Sequence, residues 1–173
     1  MELLNGILSR QSVREYDKSR SIEPEKIQDI VRAGMNAPSA LGQHAWRFMT
    51  MTDHAVLSQI AALKDWWKML EEASLGIGVM IDPAAADGLD EEFLVISAAA
   101  AAENMLLAAH SLGIGGVYLG TSKKETYYTK LSSALQIPDS LRMIGILSMG
   151  YPKETLTGPT DRFEDGKWIQ EHF

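Results

Sequence analysis

Apolar positions recur along this chain with two different periods, and the places where the period changes mark its elements. Leu3, Leu4, Ile7 and Leu8 fall on one face at helical spacing and predict a short helix over residues 2 to 10. Pro24 stands where a first helical turn tolerates proline, and Ile27, Ile30, Val31 and Met35 define a second helix. That helix must stop by Asn36-Ala37-Pro38, because the residue before a proline avoids helical geometry. Trp46 to Thr52 is strand-like. Asp53 then caps a third helix carrying Val56, Leu57, Ile60, Ala61 and Leu63, and Asp65 to Glu72 reads as a short further helix. Leu75 to Ile81, an apolar run closed by Asp82-Pro83, predicts an interior strand.

Residues 90 to about 112 predict the longest helix, roughly 33 Å at 1.5 Å per residue. Its run Ala98 to Ala102 favours helix and lets a neighbouring helix approach closely, as suits the centre of a fold or a dimer interface. Gly113 stands at the expected stop. Ile114 to Gly120 reads as a strand whose first residues are nearly bare backbone. Ser122 to Glu125 reads as a capping box for a helix reaching Leu135, and Met143 to Met149 as a last strand ended by Gly150-Tyr151-Pro152. The tail, Lys153 to Phe173, closes on aromatic residues that are expected to dock, on this chain or on another subunit. Helices and strands alternate with long interruptions, which predicts a mixed α/β or α+β layer structure.

Composition narrows the function classes. At 173 residues, with 46% hydrophobic and 23% charged side chains, one globular domain is expected over 1–173. The absence of cysteine removes disulfides, thiolate metal sites and cysteine nucleophiles together, and leaves cytoplasm as the default compartment. A net charge of -7 opposes attraction to nucleic acid or an anionic membrane, so neither is an expected partner. No basic segment followed by an apolar run begins the chain, so no secretory leader is expected. Phe93 to Ala102, the most apolar stretch, is interrupted by Glu103-Asn104 and reads as too short for a bilayer and as a buried helix. His44, His54, His110 and His172 lack metal-motif spacing, so no metal site is expected. Gly113 to Tyr118 lacks the last glycine of a dinucleotide fingerprint, and no Walker loop or hydrolase elbow occurs.

Cationic and small-residue pieces carry the candidate chemistry. Arg10 and Arg14 present permanently charged, planar forks suited to phosphate oxygens, with Gln11 and Ser12 as neutral donors beside them. The plainer reading is that both arginines are solvated or paired with surface carboxylates. Ala37 to Trp46 is a loop of small residues whose backbone can approach a flat ligand closely, or a simple connection. Taken with the Gly-Gly strand start and Arg162, these pieces suit a flat, phosphate-bearing cofactor.

In that order the pieces resemble the nitroreductase family of FMN-dependent oxidoreductases, over nearly the whole chain. Arg10-Gln11-Ser12-Val13-Arg14 is similar to the family's Arg-Arg-Ser-aliphatic-Arg signature, with Gln11 replacing an arginine. Ala37-Pro38-Ser39-Ala40 and Trp46 match its second signature, but Gly42 stands where asparagine is usual and His44-Ala45 where Gln-Pro is usual. The alanine-rich helix with Glu103-Asn104, Gly113 to Gly116, and Gly150-Tyr151-Pro152 followed by Arg162 complete the likeness. The resemblance implies an α+β fold, a central mixed and mainly antiparallel sheet flanked by helices, in an intertwined homodimer. It implies that Arg10, Gln11, Ser12 and Arg162, with Arg14 in the same signature, hold the FMN phosphate and ribityl chain. Pro38, Ser39 and Ala40 would line the isoalloxazine from the other subunit, and backbone groups around Ile114, Gly115 and Gly116 would bond the flavin edge. Lys68 is a looser match on the pyrimidine side, with a solvated helix residue as the favoured reading. Trp66 and Trp67 read as pocket wall or, more commonly for such a pair, as core or interface. The implied activity is electron transfer from NADH or NADPH through FMN to small aromatic nitro compounds or quinones. The alternatives are flavin sequestration with little turnover, suggested by the altered loop, and flavin chemistry that dehalogenates or fragments a different substrate.

Overall fold

In the computed structural model, which describes residues 2–156, 158 and 162–171, a four-stranded sheet separates two helical layers. The strands are β1 (Trp46–Met51), β2 (Leu75–Ile81), β3 (Gly115–Gly120) and β4 (Arg142–Gly150), in the order β1-β2-β4-β3. Every strand pairing is antiparallel, with Trp46 opposite Ile81, Leu75 opposite Met149 and Gly115 opposite Gly150. The expected parallel component is confined to an isolated bridge between Ser12 and Gly116. The two inner strands, β2 and β4, are covered on both faces, which is why they are apolar almost without alternation.

One face of the sheet buries Leu75, Ile77, Val79 and Ile81 beneath α2 (Pro24–Met35) and α4 (Glu91–Ser111). The other buries Met80, Met143 and Ile146 beneath α3 (His54–Ala61), the 3-10 turns Asp65–Glu71 and α5 (Tyr127–Ala134). Val79 pairs with Gly145 and Met80 with Met143, so β4 carries Ile144 as an extra residue at this step. The bulge lets Ile144 and Leu147, three residues apart, face the same layer.

A remaining short helix, α1 (Leu3–Ser9), lies against α4 and buries none of its own residues. The alanine run of α4 meets α2 as its small side chains allow: Ala98, Ala101 and Ala102 are buried, and Asn104 donates to the Ala33 carbonyl at 3.2 Å. At 21 residues α4 is long and apolar enough to cross a bilayer by length and composition, contrary to the sequence expectation, but it is the core helix of this fold. The predicted capping box fails. Glu125 reaches Lys64 (3.6 Å) instead of returning to Ser122, whose N–H donates to the Tyr127 hydroxyl (3.0 Å), and α5 begins at Tyr127 after a turn. Of the aromatic tail, Trp168 is exposed and stacks edge-on with Phe163, while His172 and Phe173 lie outside the described residues.

The segment after the first helix threads along the ends of β3 and β4. The Val13 N–H donates to the Gly116 carbonyl (3.0 Å), Asp17 N–H to Tyr151 (2.8 Å), and Lys153 N–H to Glu15 (3.1 Å). The Tyr16 ring is seated on Gly150, where an added Cβ would meet the ring's root at 2.8 to 2.9 Å. Its hydroxyl lies 2.8 Å from the carbonyls of both Val13 and Ser148, and burial pushes the phenol's pKa far up. Further on, Tyr151 donates to Glu23 (2.6 Å), accepts from Lys26 (2.6 Å) and lies under the Arg20 guanidinium, 3.5 Å from its ring centre. The bond from Tyr151, aided by Lys26, lowers the Glu23 carboxyl to about 2. Gly150→Ala is expected to lower stability by about 1 to 3 kcal/mol, because the clash falls on the fixed end of Tyr16. Chemical denaturation measures this, and a wild-type midpoint would show that Tyr16 moves aside freely.

Candidate flavin site

Arg10 ends the first helix, and its Nε pairs with Glu103 of α4 at 3.2 Å, with the side chain 20% exposed. The counter-charge is a half-exposed carboxylate of the same chain, as the plainer sequence reading has it for Arg10, and the pattern along the chain does not single out Glu103 as that partner. Ser9 bonds His110 beside it, Oγ to Nε2 at 2.8 Å. Glu103 and His110 are seven residues apart on α4 and so share a face, a spacing that could have flagged them. Burial, and to a smaller extent the Arg10 charge, hold the His110 imidazole below its ordinary value of 6.5.

Gln11, Ser12 and Arg14 line a groove of about 410 Å³ whose far wall is Pro152, Glu154, Thr155 and Leu156. Arg14 and Ser12 are exposed there and Gln11 half-buried, and the carboxylates of Glu15 and Glu154 line the same groove. The strand start behind them is packed tightly. A Cβ on Gly115 would lie 2.7 Å from the Cβ of Val13, and one on Gly116 would press on Leu106 and Met149 at 3.0 and 3.2 Å. The Ile114 N–H donates to Ala109 (2.9 Å) and the Gly116 carbonyl is held by Val13, so those two groups serve the fold.

The small-residue loop sits elsewhere on α4. Its Ala40 N–H donates to Ser97 Oγ (3.0 Å), and Gln43 exchanges two bonds with the Asp87 backbone. Pro38 is exposed, whereas Ser39 and Ala40 are half-buried. Ser97 and Glu103 lie about 120° apart around the helix and about 9 Å apart along it, so the loop and the Arg10 seat of one chain diverge. Arg162 is exposed, and among the described residues no hydrogen bond or ion pair joins it to the Arg10 segment. Lys68 is exposed. Trp67 is fully buried edge-on against Tyr127, and Trp66 is 65% exposed with the Lys64 ammonium 4.3 Å from its ring centre. Each described histidine has a serine partner (His44 with Ser39, His54 with Ser58, His110 with Ser9), and no metal-holding cluster occurs among the described residues.

His110 gives this region a pH signature. Because its folded pKa is depressed, the unfolded chain takes up a proton first as pH falls through 6.5, and the folded state loses stability toward the lower folded value. Between about pH 7.5 and 5.5 the wild type should lose more thermal stability than His110→Asn. Parallel melting profiles for the two proteins would contradict the assignment.

The sequence profile of the Nitroreductase family matches residues 7–76 and 66–151. A candidate NADH dehydrogenase/NAD(P)H nitroreductase of Archaeoglobus fulgidus is 37% identical over 153 residues, covering 88% of this chain and 87% of that protein. The crystal structure of a candidate NADH dehydrogenase/NAD(P)H nitroreductase from Bacteroides thetaiotaomicron is 31% identical, with a TM-score of 0.90 over 100% of this chain and 99% of that one. A candidate nitroreductase of Desulfovibrio desulfuricans, crystallised in complex with FMN, is 28% identical with a TM-score of 0.85 and covers 100% of this chain and 98% of its own. Fold, motif order and these likenesses agree, and the chain belongs to the nitroreductase family.

Proposed function

We propose that this chain binds FMN between two copies of itself and uses it to oxidise NADH or NADPH and reduce small aromatic acceptors, nitro compounds and quinones among them. The observation that carries the reading is the Arg10 to Arg14 segment, clamped along the strand ends, with Gln11, Ser12 and Arg14 on a groove that Glu15 and Glu154 also line and Arg10 held by Glu103 of α4. Two arginines within five residues, one of them oriented by Glu103, put planar guanidinium forks where a phosphate can be held. The donor set fits the phosphate and ribityl end of FMN: Arg10 and Arg14 by charge, Gln11 and Ser12 by hydrogen bonds, with Arg162 as a further cation. In this reading Glu103 orients the Arg10 guanidinium through Nε and leaves its outer nitrogens for phosphate. The backbone groups of Ile114, Gly115 and Gly116 that the internal bonds leave over contact the flavin edge.

A second copy completes the site. The loop carrying Pro38, Ser39 and Ala40 diverges from the arginine seat of its own chain around α4, so both reach one ligand most directly across a two-fold axis. Phe93 and Ile96 form an exposed apolar stripe on the first half of α4, with Ile96 64% exposed, and Leu3, Leu4, Ile7 and Leu8 of the first helix are exposed as well. A surface this apolar is expected to be covered. When bound, FMN supplies the two-electron relay between nicotinamide and acceptor. The protein's share is to fix the phosphate, wall the ring with the small-residue loop and hold the acceptor against it. The need for reduced nicotinamide is consistent with a cytoplasmic location.

Arg10→Ala should weaken FMN binding about ten- to hundredfold while leaving a folded protein, read from the yellow absorbance retained after gel filtration. Unchanged flavin content would remove Arg10 from the phosphate site. Ile96→Lys is expected to shift the sedimenting species from dimer to monomer, and a persistent dimer would locate the interface elsewhere. Steady-state oxidation of NADH or NADPH with a quinone or nitroaromatic tests the activity. Stoichiometric FMN without turnover would favour sequestration instead.

A further inference from the structure

His44 is folded back onto the loop that carries it. Leu41, Gly42 and His44 adopt positive φ values of 49°, 65° and 51°, and these left-handed steps turn the chain so that His44 meets Ser39 twice. The His44 N–H donates to Ser39 Oγ at 3.1 Å, and the ring's Nδ1 lies 3.2 Å from the same oxygen. Two of those steps are taken by residues with a Cβ, a strained choice that persists only where the surroundings hold it. Here the restraints are specific: Gln43 is bonded twice to Asp87, Ala40 to Ser97, and the His44 ring stands edge-on to Trp46 at 5.3 Å.

Ser39 Oγ accepts the His44 backbone N–H and keeps its own proton to donate, and in the tautomer whose ring proton stands on Nε2 that proton goes to Nδ1. His44 is exposed, so in that tautomer Nε2–H is open to an incoming ligand beside Ser39. Resting on the reading that Pro38 to Ala40 wall the flavin, we infer that His44 is a specificity-determining residue that donates a hydrogen bond from Nε2 to an exocyclic oxygen of the aromatic acceptor, a nitro or carbonyl oxygen. Ser39 is its positioning residue. An acceptor of the same shape without oxygen gains nothing from this donor, so the pair favours oxygenated aromatics.

Oxidised holoenzyme, with no electron donor present, can be titrated calorimetrically with nitrobenzene and with toluene, so that binding is read without turnover. His44→Leu should weaken nitrobenzene about five- to tenfold and toluene less than about twofold, while His44→Gln, which keeps an N–H donor, should recover most of the loss. Ser39→Ala should weaken nitrobenzene selectively, with recovery in Ser39→Thr. In turnover the loss should appear in KM for the acceptor rather than in kcat. Full FMN occupancy with unchanged nitrobenzene affinity in His44→Leu, or equal losses for both probes, overturns the role of His44 alone. A wild-type protein that takes up no FMN overturns the flavin reading and this inference with it.

Discussion

The close seating of residues 12 to 17 on the ends of β3 and β4 is the constraint on which the candidate site depends. Two glycines make it possible, Gly115 beneath Val13 and Gly150 beneath the Tyr16 ring, since a Cβ at either would overlap fixed atoms. The backbone bonds to Gly116, Tyr151 and Glu15 then hold the segment as if it were a fifth, irregular strand. An arginine on an unanchored N-terminal segment would lose much of its binding energy to conformational entropy. Here the backbone bearing Arg10 to Arg14 is ordered before any ligand arrives, and the buried phenol of Tyr16 bonds to carbonyls on both sides of the joint.

Helix α4 converts that local order into a site layout. Its buried alanines settle it against the sheet and α2, while its remaining faces carry separate tasks: Ser97 braces the Pro38 to His44 loop, and Glu103 with His110 braces the first helix and Arg10. A rigid helix fixes the angle and rise between those two attachments more firmly than any loop could. Its outward stripe leaves Phe93 and Ile96 exposed. The same helix therefore serves as core and as the surface on which a second copy is proposed to pack.

Most element boundaries were legible in the residues because burial imposed period on them. Leu75 to Ile81 is apolar at every position because both faces of β2 are covered, and the helix of residues 91–111 starts and stops where its acidic and glycine flanks suggest. Local signals failed where a distant side chain competed. Ser122 and Glu125 have capping-box spacing, but Lys64 and Tyr127 offer better partners, and spacing along one segment carries no information about either. The apolar content of α4 likewise reads the same whether lipid or a protein core surrounds it.

Of the candidate site, residue types and their order along the chain pointed to a flat, phosphate-bearing cofactor through arginines with neutral donors, a small-residue loop and a glycine pair, and the family resemblance made that cofactor FMN. Tertiary structure alone decided which glycines serve packing, that Glu103 faces Arg10, and that Ser39 reaches back to His44. Those outcomes depend on the approach of segments up to a hundred residues apart and on left-handed turns at Leu41 and His44, which residue identity permits but does not require. Composition and period encode what a segment wants to bury, and only the packed chain determines which polar groups are left to meet one another.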